Sequence, residues 1–484
     1  MNENSGWGSI ATFLFAMIGL TIGIGNIWRF SYVFYTNGGG SFFIPYLIAI
    51  AVMGIPFLIL EYGLGFKFKK SFSKLLYDID PRFEIVAWAL VLFVFIVAIY
   101  YMVILSWDFI YLINSFTFGW GNDPSLFFTT NVGGSSNLSG IGSVILPTFI
   151  AIIILWALFW LVSNRDVDKG IGRASKVLMP LLFIIMSFIL IYSFTLPGFE
   201  LGLATLLKPN WLALLDVNIW LAAFAQIIFS LSIGQAMVYT YASYLSKESR
   251  LIDDVFMVVV ANCLYEIFVA IGIFSILGYM SVTSSIPITE LISEGTGLIF
   301  IVLPEVFAVM GPIGRIIAPL LMLSILFAGF TSSLALFEPL LSSVCDKLNW
   351  SRKKGVTVLV IIACVCSLFF STGISSYLVE IVDTFVNEFG ILILIAIQAI
   401  IFTRYLDMDE ITAVLNENST IKVGRKWKFV LKYLLPLMLI IMWIIGIYNL
   451  IYNVDGFKIG IYLLITLIVI GLSVFFVKVN PKND

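Results

Sequence analysis

Histidine is absent from the 484 residues, and with it go the commonest metal ligand and the usual general base at neutral pH. Cysteine is nearly absent too. Cys263, Cys345, Cys364 and Cys366 all fall in or at the ends of apolar segments, and no further Cys or His completes a metal-site spacing, so they read as packing residues. Charge is scarce: 12% of residues are Asp, Glu, Lys or Arg, with a net charge of −2, which gives no basic surface for nucleic acid. Long polar runs are missing as well, the longest lying near 117–142, 281–296 and 404–428. No soluble domain fits in these, and the chain reads as one membrane unit, 1–484. An integral-membrane enzyme would need a nucleophile, base or metal cluster that this composition does not offer.

What is present is apolar: 61% of residues are hydrophobic and the mean hydropathy is +1.06, against roughly 45–50% apolar residues in soluble domains. A spanning helix needs about 20 mostly apolar residues. About twelve such segments occur, near 10–36, 41–66, 84–115, 143–162, 169–195, 217–245, 252–282, 313–344, 355–374, 375–402, 430–452 and 457–478. The fold class expected is an all-α polytopic membrane protein. Met1 to Trp7 carries no Lys or Arg and no small-residue cleavage site follows the first apolar run, so that run is expected to remain as a helix. Positive charge clusters in alternate loops: Lys67 to Arg82, Arg165 to Lys176, Lys247 and Arg250, Lys347 to Lys354, and Arg404 with Lys422 to Lys432. The positive-inside rule makes these cytoplasmic and puts both termini inside a multi-pass protein of the cell membrane.

Two segments are interrupted. Gly19-Leu20-Thr21-Ile22-Gly23-Ile24-Gly25-Asn26-Ile27-Trp28-Arg29-Phe30 sets glycines, an Asn and an Arg inside the first, and Gln226 to Gln235, with Ser230, Ser232 and Gly234, interrupts the sixth. Broken backbone inside a bilayer is tolerated only where protein or a water-filled cavity satisfies it. Small residues also serve plain helix packing, but two polar breaks five spans apart favour a binding site. An odd number of spans per repeat reverses orientation, so repeats of about 10–195 and 217–402 would be inverted, with 430–478 appended and ligands held at the midplane.

The motifs Gly23 to Phe30, Asn37-Gly38-Gly39-Gly40-Ser41-Phe42 to Pro45-Tyr46, Gly54-Ile55-Pro56 to Glu61, Ala98-Ile99-Tyr100-Tyr101, Tyr241 to Tyr244 and Ala328 to Ser333 occur in this order along nearly the whole chain. In them the chain resembles the neurotransmitter:sodium symporters, in particular their prokaryotic amino-acid branch. The resemblance implies about twelve helices in a 5+5 inverted repeat with helices 1 and 6 broken, and two Na⁺ ions. One ion would be held by Thr21, Asn26, Ser230, Asn262 and the substrate carboxylate, the other by Gly19, Ile22, Ala328, Thr331 and Ser332. Hard oxygen donors suit such a cation, although a Thr or Ser in a membrane helix also bonds a carbonyl one turn back.

By the same resemblance, Ile24, Gly25 and Tyr101 would meet a substrate carboxylate, and carbonyls of Thr21, Phe229 and Ser230 its ammonium. Gly23 stands where monoamine-carrying relatives have Asp. Val97, Tyr101, Phe229, Ser232, Gln235, Ser332 and Leu336 would set side-chain preference, with Gln235 replacing the Phe of a bacterial relative. The outer gate would be Arg29 and Asp383, bridged near Gln226 under a Phe229 lid. The inner gate would be Trp7, Ser243, Tyr244 and Asp346, without the N-terminal Arg of relatives. Glu266, four residues after Asn262 and on the same face, would replace chloride. The reading is a sodium-coupled symporter of neutral, hydrophobic L-amino acids working by alternating access, chloride-independent, in a lipid bilayer, as a monomer or a homodimer. The same fold driven by protons, with Glu266 or Glu61 as relay, is the alternative.

Overall fold

A computed structural model describes residues 6–246, 249–292, 295–452 and 454–479; Met1 to Ser5 and Lys247, used above, lie outside them. Among the described residues the chain is helical, with no strand beyond one isolated bridge between Val144 and Thr372. Among the described residues nine helices are long and apolar enough to cross a membrane, ten with the bent pair Ile10–Thr21 and Ile24–Thr36. The other two expected segments are shorter. The sixth is split into Val217–Ser230 and Met237–Ala242, and the ninth is the 17-residue helix Arg352–Leu368, ending before 374.

Helix starts follow the local chemistry. Ser9, Ser71, Ser351, Asp123, Asp216, Asp407 and Asp455 each accept a hydrogen bond from a backbone N–H of the first turn, satisfying donors that the helix itself leaves orphaned.

Burial separates centre from periphery. Pro81–Ser115 is 83% buried in its most apolar window and packs extensively on Gly314–Leu348, whereas Gly456–Lys478 is 17% buried. The peripheral helices expose Leu437, Ile444, Leu463 and Leu467, side chains that only lipid accommodates.

The helix Ile55–Phe68 lies along both halves of the sixth span. A Cβ added at Gly54 would come within 2.8 Å of Leu231, and one at Gly65 within 2.3 Å of the Tyr239 carbonyl oxygen. Glu61 sits between these two glycines on the same helical face, which aims its carboxylate at the gap between the half-helices.

Candidate functional site

The first break is two residues long. Ile22 ends the helix Ile10–Thr21 with its N–H on the Ile18 carbonyl (2.8 Å), Gly23 is extended (φ −116°, ψ −171°), and Ile24–Thr36 leaves at 51°. The Asn26 Oδ1 accepts from the Gly23 N–H (2.8 Å), so the new half-helix caps itself. The Ile24 N–H donates to the Tyr101 hydroxyl at 3.0 Å. Gly23 has no room for a side chain: a Cβ there would lie 2.9 Å from the Tyr101 hydroxyl and 3.1 Å from the Ser332 Oγ. Gly25 is the reverse, since a Cβ there meets nothing within 4 Å. The break thus presents exposed backbone to open space beside a phenol. Val97 and Leu336 lie one turn from Tyr101 and Ser332 on their respective helices.

On one side of the break, carbonyls outnumber protons. The Ser332 hydroxyl lies 3.0, 3.5 and 3.2 Å from the carbonyl oxygens of Gly19, Leu20 and Ile22, and Thr331 Oγ1 lies 3.1 and 3.0 Å from those of Phe327 and Ala328. Thr331 makes the back-bond within its own helix, while Ser332 reaches across to the first span. One hydroxyl proton cannot serve three carbonyls, so this oxygen-rich, donor-poor cage suits a hard monovalent cation. Among the described residues no group of three or more Asp, Glu or Cys side chains offers an alternative metal centre.

On the other side lies a buried polar cluster. Asn26 Nδ2 donates to Asn262 Oδ1 (2.9 Å) and Glu266 Oε1 (3.2 Å), Asn262 Nδ2 to Ser230 Oγ (2.6 Å), Gln226 Nε2 to Glu266 Oε1 (2.8 Å), and the Tyr46 hydroxyl to Glu266 Oε2. All six residues are at most 4% exposed. Gln226, expected as a bridge in the outer gate, gives its amide N–H to this carboxylate, a strong acceptor.

The sixth break is longer and differently made. From Leu231 to Ala236 the chain passes through three left-handed positions, Ser232 (φ 52°), Gly234 (φ 71°) and Ala236 (φ 60°). Glu61 Oε2 accepts from the Gly234 N–H at 3.0 Å, and Gln398 Nε2 donates to the Gly234 carbonyl.

Beyond the breaks, the expected gate residues divide. Arg29 lies over the Phe229 ring, 4.6 Å from its centroid. Asp383 accepts from Tyr100 (2.6 Å) and Asn387 (2.9 Å) and lies within reach of the Arg29 charge. At the start of the first span, Trp7 is buried, donates from Nε1 to the Tyr241 carbonyl (2.9 Å) and packs edge-on to Tyr244. Ser243 bonds Thr240 of its own helix, and Asp346 accepts from Ser71 (2.6 Å), so neither joins Trp7 directly. Glu338 and Arg352 were not singled out from sequence. Glu338 is 1% exposed, pairs with Arg352 through both carboxylate oxygens, and is approached by the Tyr244 hydroxyl at 3.5 Å. A lone Glu before Pro339 in an apolar helix was the available signal.

The sequence model of the Sodium:neurotransmitter symporter family matches residues 4–133 and 122–480. An uncharacterised sodium-dependent transporter of Methanocaldococcus jannaschii is 34% identical over 438 residues, 90% of this chain and 89% of the relative. A sodium-dependent dopamine transporter of Caenorhabditis elegans is 26% identical over 492 aligned residues, 90% of this chain and 79% of the relative. A transporter rather than an enzyme, with sodium as its co-transported ion, the chain belongs to the sodium:neurotransmitter symporter family.

Proposed function

We propose that the protein is a sodium-coupled symporter of neutral, apolar L-amino acids, chloride-independent, taking two Na⁺ ions and working by alternating access between two inverted repeats. The observation that carries the substrate class is the first break. Gly23 has no side chain and no space for one, Tyr101 presents a hydroxyl to the Ile24 N–H, and the space beside Gly25 is open. A carboxylate entering that space would meet N–H and O–H donors, and no acidic side chain of the break competes with it for cations. A ligand that brings its own carboxylate into that space completes the shell of a sodium ion beside Asn26, Asn262 and Ser230. Substrate and sodium each raise the affinity of the other by that shared bond.

The second ion belongs in the cage of Gly19, Ile22, Ala328, Thr331 and Ser332. Glu266 supports chloride independence, because its carboxylate already supplies fixed negative charge within bonding distance of Asn26. Arg29, Phe229 and Asp383 serve as the outer gate, and Trp7 with Tyr244 as the inner one, on the cytoplasmic side with both termini.

Binding of a labelled apolar L-amino acid to purified protein tests the reading. Na⁺ is required, K⁺ and choline fail to replace it, and gluconate replaces chloride without loss, while Glu266→Ser makes binding chloride-stimulated. Equal affinity in K⁺ would overturn the sodium assignment, and loss of wild-type binding in gluconate the chloride one.

A further inference from the structure

Gln398 is 1% exposed on the helix Leu392–Tyr405, whose other residues up to Phe402 are apolar, and nothing in the transport scheme above uses it. Its amide nitrogen is bonded to the carbonyl of Gly234. The N–H of the same residue is held by Glu61, so both poles of Gly234 are gripped by side chains from two other spans. Ile395, one turn earlier on the Gln398 helix, presses on the same spot: a Cβ on Gly234 would lie 2.6 Å from its Cγ2. The grip falls in the middle of a segment that an L-amino-acid chain does not adopt unaided. Ser232 and Ala236, neither a glycine, flank it in the left-handed region, a conformation that persists only where the surroundings over-determine it.

We propose that Gln398 is a positioning residue for substrate selectivity: by holding the Gly234 carbonyl against the pull of Glu61, it fixes the left-handed segment that aims Ser232 and Gln235. The two residues that would touch the substrate side chain precede and follow Gly234, so a rotation of that peptide swings both. Selectivity is then set in part from a helix that does not line the pocket. The amide suits the task because it gives a donor to a carbonyl without placing a second charge beside Glu61. The specificity half of the proposal rests on the amino-acid reading above; the positioning half does not.

Hydrogen–deuterium exchange and substrate competition on the full-length protein test the two halves separately. Gln398→Leu removes the donor. Gln398→Asn keeps a buried amide but is one methylene too short to reach, which guards against a result due to folding alone. Both variants are expected to exchange faster in a peptide covering 230–238 and at the wild-type rate over 20–28. Their half-saturation for Na⁺ stays at the wild-type value, while the ratio of inhibition constants between a small and a bulky amino acid shifts by about tenfold, the scale of one buried hydrogen bond. Wild-type exchange over 230–238 in both variants overturns the positioning role, whatever the substrate is. Faster exchange with an unchanged competition ratio overturns the link to selectivity. Failure of wild-type protein to bind any amino acid would refute the substrate reading instead, and the exchange comparison would still decide the role of Gln398.

Discussion

The two broken spans solve one problem by opposite means. The first interrupts itself over two residues with no left-handed backbone, and its donors and acceptors are met by neighbours that are also site candidates: Asn26, Tyr101 and Ser332. The sixth needs six residues and three left-handed positions, and is held by Glu61 and Gln398, which lie behind the pocket. The first break is economical and chemically committed, since disturbing it directly disturbs the groups proposed to face the ligand. The sixth is strained and braced from two other spans, so the Gln235 side chain can be changed without touching the brace.

The sharpest way to break this contrast is Asn26→Ala. It removes at once the cap on Gly23, the bond to Asn262 and a donor to the Glu266 carboxylate. Leaving a buried charge short of a partner costs about 3–5 kcal/mol, and about 1.4 kcal/mol is tenfold in affinity, so sodium-dependent binding is expected to fall by at least a hundredfold. Thr331→Ala, at the other cage, is expected to act in the same direction. Retention of wild-type sodium affinity in Asn26→Ala would remove this residue from the ion site.

A paired comparison of Gly23→Ala and Gly234→Ala follows, with smaller effects of different kinds. Gly23 is extended, a conformation open to any residue, so alanine there costs no backbone strain but displaces the Tyr101 hydroxyl from 2.9 Å and presses on the Ser332 Oγ at 3.1 Å. Substrate affinity is expected to drop about tenfold, the worth of one hydrogen bond, with little change in melting temperature. Gly234 is left-handed and lies against Ile395. Alanine there costs roughly 1–2 kcal/mol from backbone sterics alone, and is expected to lower the melting temperature by a few degrees. Equal thermal shifts in the two variants would show that the breaks are not built differently.

Much of the first break was legible in the sequence because its working parts are contiguous: glycines, Asn26 and Arg29 fall within a dozen residues. The sixth announced its location through Ser230, Ser232 and Gly234 but not its shape, since no propensity puts Ser232 or Ala236 in the left-handed region. Tertiary restraint does that, through partners 173 and 164 residues away. The Glu338 and Arg352 pair was illegible for a different reason. Glu338 alone offers a signal, a single Glu before Pro339 in an apolar helix, but nothing in the sequence names Arg352 as its partner, and their meeting depends on how the chain turns between Leu348 and Arg352. That pair places a half-buried cation near Tyr244, whereas Met1 to Trp7 carries none.

Gln235→Phe probes the most permissive part of the sixth break and has the narrowest expected effect, confined to the ranking of substrates. Gln235 follows the braced Gly234 and is 5% exposed, a long polar side chain among expected pocket positions that are mostly apolar. Phenylalanine is bulkier and cannot hydrogen-bond, so it takes room from the proposed pocket and removes a polar group together. Because the brace at Gly234 is untouched, sodium affinity and thermal stability are expected to remain at wild-type values. Bulky substrates should lose affinity relative to small ones by roughly tenfold, since a methylene or two in an apolar pocket is worth about 1–3 kcal/mol. The same panel of competing amino acids, measured on Gln398→Leu, sharpens the comparison. A replaced pocket residue penalises large side chains, whereas a loosened brace blurs the ranking between large and small. If Gln235→Phe gives the wild-type ranking, this residue does not face the substrate, and the sixth break contributes backbone but no side-chain selectivity.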